Sequence, residues 1–381
     1  MAIFVYSYVN FSASCWQRKK YDAILREAAK RRIKCFWVNS RADLMRYEKI
    51  YQSEFSSLVL MPGSLNQFRK FRAMFDGLPL RTIVFAHHGA ELLDNSSSYV
   101  MSDYMTAMQD TLALLRSHGA SRIALFCVSK TSNHDVCHER AFRRFCPDGK
   151  IYYFVDVPPE HRTVDAVKEL LSCEDRIDAV ICCNDFIALS LAAVLNTVDP
   201  DWNQKLLLSS YSNLLIGQLY SPSITSASLA EEIGGIEVVR LHRTLEKNPQ
   251  IHMLNAMMRV DISVRQSTAA NAPAGLRFAD YSVSDTNLEK ALAPRTNLMR
   301  LELFLETCDA LDMQLLCGLI KRTPQKELAD RLFISTDSIK YRLRKIRKHF
   351  GYPDTKQLSE FLSYWIDPDK LTALIASEKS N

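Results

Sequence analysis

Residues 178–195 read DAVICCNDFIALSLAAVL. The apolar run from Ala179 to Cys183 has the length of a strand, and the apolar stretch from Phe186 onward has the length of a helix. Between them stand Asn184 and Asp185, residue types that cap a helix by accepting from its free N–H groups. The same alternation extends outward in both directions. Strand candidates fall at residues 3–9, 34–39, 56–62, 81–87, 122–128, 150–157, 179–184 and 205–211, and helix candidates such as CWQRKKYDAILREAAKRR and DYMTAMQDTLALLRSHG lie between them. Strands that alternate with helices predict βαβ units and parallel sheets covered on both faces. For 381 residues, two smaller sheets suit domain size better than one of eight strands.

A strand and helix over 223–248 and an extended segment up to residue 268 end this pattern. Residues 269–287, AANAPAGLRFADYSVSDTN, have the composition of a connector. Beyond them every pattern is helical, which is a change of fold class. The expected architecture is α/β with parallel sheets, followed by an all-α domain.

Hydrophobic residues make up 47% of the chain and charged ones 24%, enough for ordinary cores. The net charge is only +5, but residues 321–349 hold ten Lys or Arg against Glu327, Asp330 and Asp337, so the rest of the chain is slightly negative. A concentrated basic patch on a near-neutral body is the electrostatic footprint of nucleic-acid binding. The ten cysteines show no C-x-x-C and no His partners at zinc spacing, so no metal is expected, and several sit in apolar runs as a reduced cytoplasmic protein would have them. The first residues, MAIFVYSYVNF, lack a basic n-region and a cleavage site, and no run reaches the roughly 20 apolar residues of a membrane helix.

Within the basic segment, PQKELADRLFISTDSIKYRLRKIRKHF (324–350), Leu328, Ala329 and Leu332 give a short helix one apolar face. Ser335 or Thr336 can cap a second helix, on which Ile339, Leu343, Ile346 and Phe350 form a stripe. Asp337, Tyr341, Arg344, Lys345 and Lys348 then point away from it. A short helix, a tight turn and a second helix with a basic outer face suit the major groove. The segment 312–362 resembles a LuxR-type helix-turn-helix through Glu327, Leu328, Ala329, Leu332, Ile334, Ser335, Ser338, Ile339, Lys340, Ile346 and Phe350; Ser338, Arg342 and His349 replace the usual Thr, His and Lys. That resemblance implies double-stranded DNA as partner and pairing of two copies, often through a helix that here would be TKQLSEFLSYWI. It implies Thr336, Asp337, Lys340, Tyr341 and Arg344 at bases or nearby phosphates, and Lys326, Lys345 and Lys348 at phosphates.

Four stretches in order resemble the effector domain of lactose-repressor-type regulators, which is periplasmic-binding-protein-like: residues 99–128, 178–195, 223–248 and 257–268. The resemblance implies a two-lobed effector domain over 1–268, with lobe 1 at 1–101 and 212–246 and lobe 2 at 102–211 and 247–268. A linker and connecting helix would span 269–299 and the DNA-binding domain 300–381. The first strand begins at residue 3, so the C-terminal domain would take the place of the family's N-terminal headpiece. It implies a ligand cleft with Asn10, Ser14, Trp16, Asp103 and Asn184, and with Ser212 standing in the family's G-Y-D-D. His138 occupies the family's Arg position, with Arg140 as a displaced substitute; these departures put a sugar effector in doubt. His87-His88 follows the fourth strand, a cleft edge, but two adjacent His are no metal site by themselves.

No G-x-S-x-G, phosphate loop or G-x-G-x-x-G occurs among the eleven glycines, so no enzyme and no cofactor is expected. A two-component receiver is disfavoured, because VYSYVNFSAS supplies no acid after the first strand. What remains is a small-molecule-controlled, homodimeric cytoplasmic transcription regulator; the alternative is an N-terminal module that binds no small molecule and serves dimerisation or a protein partner.

Overall fold

The computed structural model describes residues 1–7, 14–86, 96–153, 162–270, 272–285, 288 and 295–378. The chain opens with β1 (Ala2–Ser7), α1 (Cys15–Lys30), β2 (Lys34–Trp37), α2 (Arg41–Met45), α3 (Glu48–Ser53), β3 (Ser56–Met61), α4 (Leu65–Met74), β4 (Arg81–Phe85) and β5 (Ser97–Ser102). It continues with α5 (Tyr104–Ser117), β6 (Ile123–Val128), α6 (Asn133–Phe145), β7 (Lys150–Tyr153), α7 (Arg162–Leu171), β8 (Arg176–Ile177), β9 (Ala179–Cys182), α8 (Asp185–Val198) and β10 (Leu207–Tyr211). Then come α9 (Leu215–Leu219), β11 (Thr225–Ala227), α10 (Glu231–Lys247), β12 (Asn255–Met258), β13 (Ile262–Ser263) and β14 (Leu276–Arg277). The rest is helical: α11 (Arg295–Leu305), α12 (Ala310–Ile320), α13 (Gln325–Leu332), α14 (Thr336–Phe350), α15 (Thr355–Trp365) and α16 (Pro368–Glu378).

One six-stranded sheet has the order β12-β5-β4-β3-β1-β2 with every pairing parallel. Alternate residues of β1 serve opposite faces, as strand geometry demands. Ile3 and Val5 join Ile24, Phe85 and Val238 in a core under α1 and α10, whereas Ala2 and Phe4 join Leu44, Tyr51 and Phe71 under α2, α3 and α4. A second six-stranded sheet runs β13-β11-β10-β9-β6-β7, and β8 pairs antiparallel with β14. By compactness the chain forms one unit from Met1–Ser117, Ile123–Val157 and Ala227–Ile262, and another from His118–Arg122, Pro158–Ser226 and Ser263–Asn381.

Two strands do not fall as the sequence predicts. Residues 225–227, expected in lobe 1, belong to the second sheet as β11, and residues 255–258, expected in lobe 2, belong to the first as β12. The chain therefore changes sheet after Ala227 and after Met258 rather than near residues 212 and 247. Nothing local distinguishes these strands, because membership in a parallel sheet is set by where the preceding crossover returns.

In the second unit, the stretch that reads as a connector is fastened down. Leu276 and Arg277 form β14, the Gly275 N–H donates to the Lys205 carbonyl, the Ala279 N–H to that of Cys173, and Phe278 is fully buried. Gly275 is required there: its φ is +76°, and a Cβ would stand 2.7 Å from the Asp178 carboxylate. The six C-terminal helices bury Leu298, Leu301, Leu315, Leu316, Leu343 and Trp365 among themselves and against α8 and α9.

Candidate DNA-reading face and candidate effector-binding cluster

The short helix α13 ends at Phe333, whose φ of +54° turns the chain, and the Ser335 hydroxyl accepts from the Ser338 N–H at 3.1 Å to start α14. Ile339, Leu343, Ile346 and Phe350 are buried, so α14 has one inward stripe. Lys326, Asp337, Lys340, Tyr341, Arg344, Lys345 and Lys348 are exposed, and Thr336 is half-buried. Tyr341 is 68% exposed, with its ring offered outward beside the cations. Lys340 is paired with Asp337 at 3.3 Å, an exposed contact of little energetic weight. Arg342 is held back by Asp309 and Asp312, at 2.9 and 2.7 Å, and so braces α14 rather than joining the free cations.

The residues expected around a ligand divide. Asn10 lies outside the described residues, as do His87 and His88. Ser14 caps α1 through the Gln17 N–H, and Asp103 caps α5 by accepting from the Thr106 N–H and hydroxyl. Arg140 is exposed, and Trp16 is half-buried. His138 is fully buried on α6, with its ring centroid 4.3 Å from that of His134 and 4.8 Å from Tyr104. Burial, with the neighbouring His134, holds its imidazole well below the usual range and keeps it neutral.

Asn184 and Asp185 have separate tasks. Asn184 is the N-cap of α8, accepting from the Ile187 N–H at 3.1 Å. The Asp185 side chain turns inward and accepts from the hydroxyls of Ser210 and Ser226 and from the Leu214 N–H. Burial pushes its carboxyl up to about 6, against the pull of those donors and of nearby Arg265. Arg265 is itself bonded to the Ile224 carbonyl and the Asn213 side chain. Ser212, at φ +110°, is buried with no partner for its hydroxyl among the described residues.

Directly after Leu214, the N–H groups of Leu215 and Ile216 donate to the Glu302 carboxylate of α11, at 3.0 and 2.9 Å. Glu302 is fully buried. The Asp367 N–H donates to the Leu219 carbonyl, Trp365 lies against Tyr220, and Lys370 reaches Gln266 at 2.7 Å. Thus α9 is held at its start by α11 and at its end by the segment between α15 and α16.

In the first unit, sequence reasoning misses a pair of buried charges. Lys20 on α1 is 3% exposed, and its ammonium stands 4.8 Å over the Phe85 ring; Glu231, the first residue of α10, is 5% exposed. Gly234 and Gly235 bring α10 in: a Cβ on the first would meet the Phe85 ring at 2.4 Å, and one on the second the Ala23 Cβ at 2.4 Å. The available signal was a lysine three and four residues before Ala23 and Ile24, and hence on the helix's buried face.

Among the described residues no helix is long and apolar enough to cross a membrane. Residues 112–268 match the family described as periplasmic binding protein-like domain. No curated protein sequence matches the chain. Among solved structures, a complex of the transcriptional regulator CelR with cellobiose aligns at TM-score 0.56 and 17% identity over 70% of this chain and 84% of its own. A LacI family transcriptional regulator from Bifidobacterium animalis subsp. lactis aligns at TM-score 0.56 and 18% identity over 71% and 98%. A dimeric Lac repressor aligns at TM-score 0.55 and 14% identity over 72% and 100%. The chain therefore carries a periplasmic-binding-protein-like domain of the type I α/β fold, with LacI-family regulators among its structural neighbours, and a helical region after it.

Proposed function

We propose that the chain is a homodimeric, cytoplasmic transcription regulator in which a LuxR-like helix-turn-helix within residues 300–381 reads double-stranded DNA. Residues 1–268 sense a small molecule, a sugar or related metabolite, and residues 269–299 join the two. The observation that carries this reading is α14, which buries one apolar stripe and leaves Lys340, Arg344, Lys345 and Lys348 exposed on its outer side. Such a helix has a side for its own core and a side for phosphates and base edges. The cap at Ser335 aims the first turn, where Thr336, Asp337 and Lys340 would approach the bases, while Lys326 would hold phosphate from α13. The fold shared with a cellobiose-bound transcriptional regulator and a Lac repressor supports a sensor in front of the reader.

Replacing Arg344 with Ala is expected to weaken binding in a mobility-shift titration by roughly tenfold, the loss of one base or phosphate contact of about 1–3 kcal/mol. Unchanged affinity would remove α14 from the DNA interface.

A further inference from the structure

Lys20 and Glu231 are an unusual pair to find in one hydrophobic neighbourhood. Both are at least nine-tenths buried and they attract each other electrostatically, yet they form neither an ion pair nor a hydrogen bond. Lys20 has the face of Phe85 beneath its ammonium, and among the described residues Glu231 Oε1 has no partner. Gln17, one turn before Lys20 on the same buried face of α1, also has no partner for its Oε1 among the described residues. Burying a cation and a carboxylate that do not satisfy one another is costly, and folds keep such groups where something else completes them. Lys20 and Lys19 on α1 and His134 on α6 act on Glu231 electrostatically, and its own N–H donates to its carboxylate. The tight contact at Gly235 brings together α1 and α10, the two helices that carry the pair.

We infer that Lys20 and Glu231 form the two poles of the effector site and that the effector is a small organic acid whose carboxylate meets Lys20 while a hydroxyl or ammonium donor on it meets Glu231. This rests on the reading of residues 1–268 as a sensor and deepens it. A hydroxy acid or amino acid presents the complementary groups, a carboxylate for the cation and a donor for the carboxylate. A neutral sugar offers donors to Glu231 but nothing to neutralise Lys20.

The test uses the full chain, with thermal shift and calorimetric titration against D-glucose, D-glucuronate and L-glutamine. The expected result is stabilisation by an acid and none by glucose, with Lys20→Met and Glu231→Gln each lowering acid affinity at least tenfold. If glucuronate alone binds, the donor is a hydroxyl; if glutamine alone binds, it is an ammonium. Stabilisation by glucose alone, wild-type acid affinity in either variant, or no response to any of the three overturns the assignment. If Lys20→Met does not fold, the isosteric Glu231→Gln decides. A neutral or cationic metabolite that shifts melting in a wider library would leave the sensor reading standing while this one falls; silence across that library removes both. DNA binding by the wild-type chain is independent of all these outcomes.

Discussion

Asn184 and Asp185 show how far residue type alone goes. Both are helix-capping residues, and the sequence leaves either free to do it; the structure gives the cap to Asn184 and a buried carboxylate to Asp185. The difference lies in Ser210, Ser226 and Leu214, which are 25 to 41 positions away and supply the donors. A raised carboxyl means that the folded chain keeps a proton the unfolded chain has lost between about pH 4 and 6, so Asp185 detracts from stability as pH rises through that window. His242, which burial holds down to about 4, acts in the opposite sense, its contribution being lost as pH falls from 6.5. Comparing variant with wild type cancels the histidine. Asp185→Asn is therefore expected to gain about 2–3 kcal/mol relative to wild type between pH 4 and 7 in urea unfolding. A difference that does not vary with pH would show Asp185 to titrate as an exposed aspartate.

At the scale of elements, what was legible followed from periodicity. The apolar runs from residue 3 to 211 became strands, and the stripe of Ile339, Leu343, Ile346 and Phe350 became the inner face of α14. The short ladder between Arg176–Ile177 and Leu276–Arg277 was invisible, because two residues carry no period. The closeness of α1 and α10 was likewise hidden, although the Gly234-Gly235 pair inside a helix hinted at it, glycine being unfavourable there without a packing reason. Gly235→Ala puts a methyl 2.4 Å from Ala23 Cβ and 2.8 Å from the Ile24 backbone nitrogen. The helices must part, and the melting temperature is expected to drop by the equivalent of about 1–3 kcal/mol. A rise, as helix propensity alone would give, would mean that the two helices are looser than they stand here.

Over the whole molecule, the order of fold classes was readable, but the join between them was not. Composition marked residues 269–287 as a connector, and β14, Phe278 and the bond from Tyr281 to Asp199 bind it to the second unit. Glu302 then ties α11 to the two leading N–H groups of α9, immediately after the Leu214 N–H that Asp185 holds. Glu302→Ala leaves the buried Ile216 N–H without its acceptor, at a cost of about 1–3 kcal/mol, and frees the half-buried Leu215 N–H as well. Limited proteolysis is expected to cut the variant between residues 280 and 310 faster than wild type, releasing the C-terminal helices; equal rates would show that Trp365, Asp367 and Lys370 hold them unaided. Of the candidate ligand residues, Ser14, Asp103 and Asn184 cap helices, because a polar side chain that follows a strand also stands at the start of the next helix.

The anchored connector sets a rule for anyone who would build hybrids of this molecule. A helix set grafted from another protein after residue 269 would arrive without the carboxylate at position 302 and without the lysine at 370, and α9 would be left without its fastening at both ends. A workable seam lies inside the helical region, beyond Leu305, where the exchanged part takes the helices after α11 and leaves the Glu302 fastening in place. Even there Trp365, Asp367 and Lys370 would have to be restored on the incoming piece.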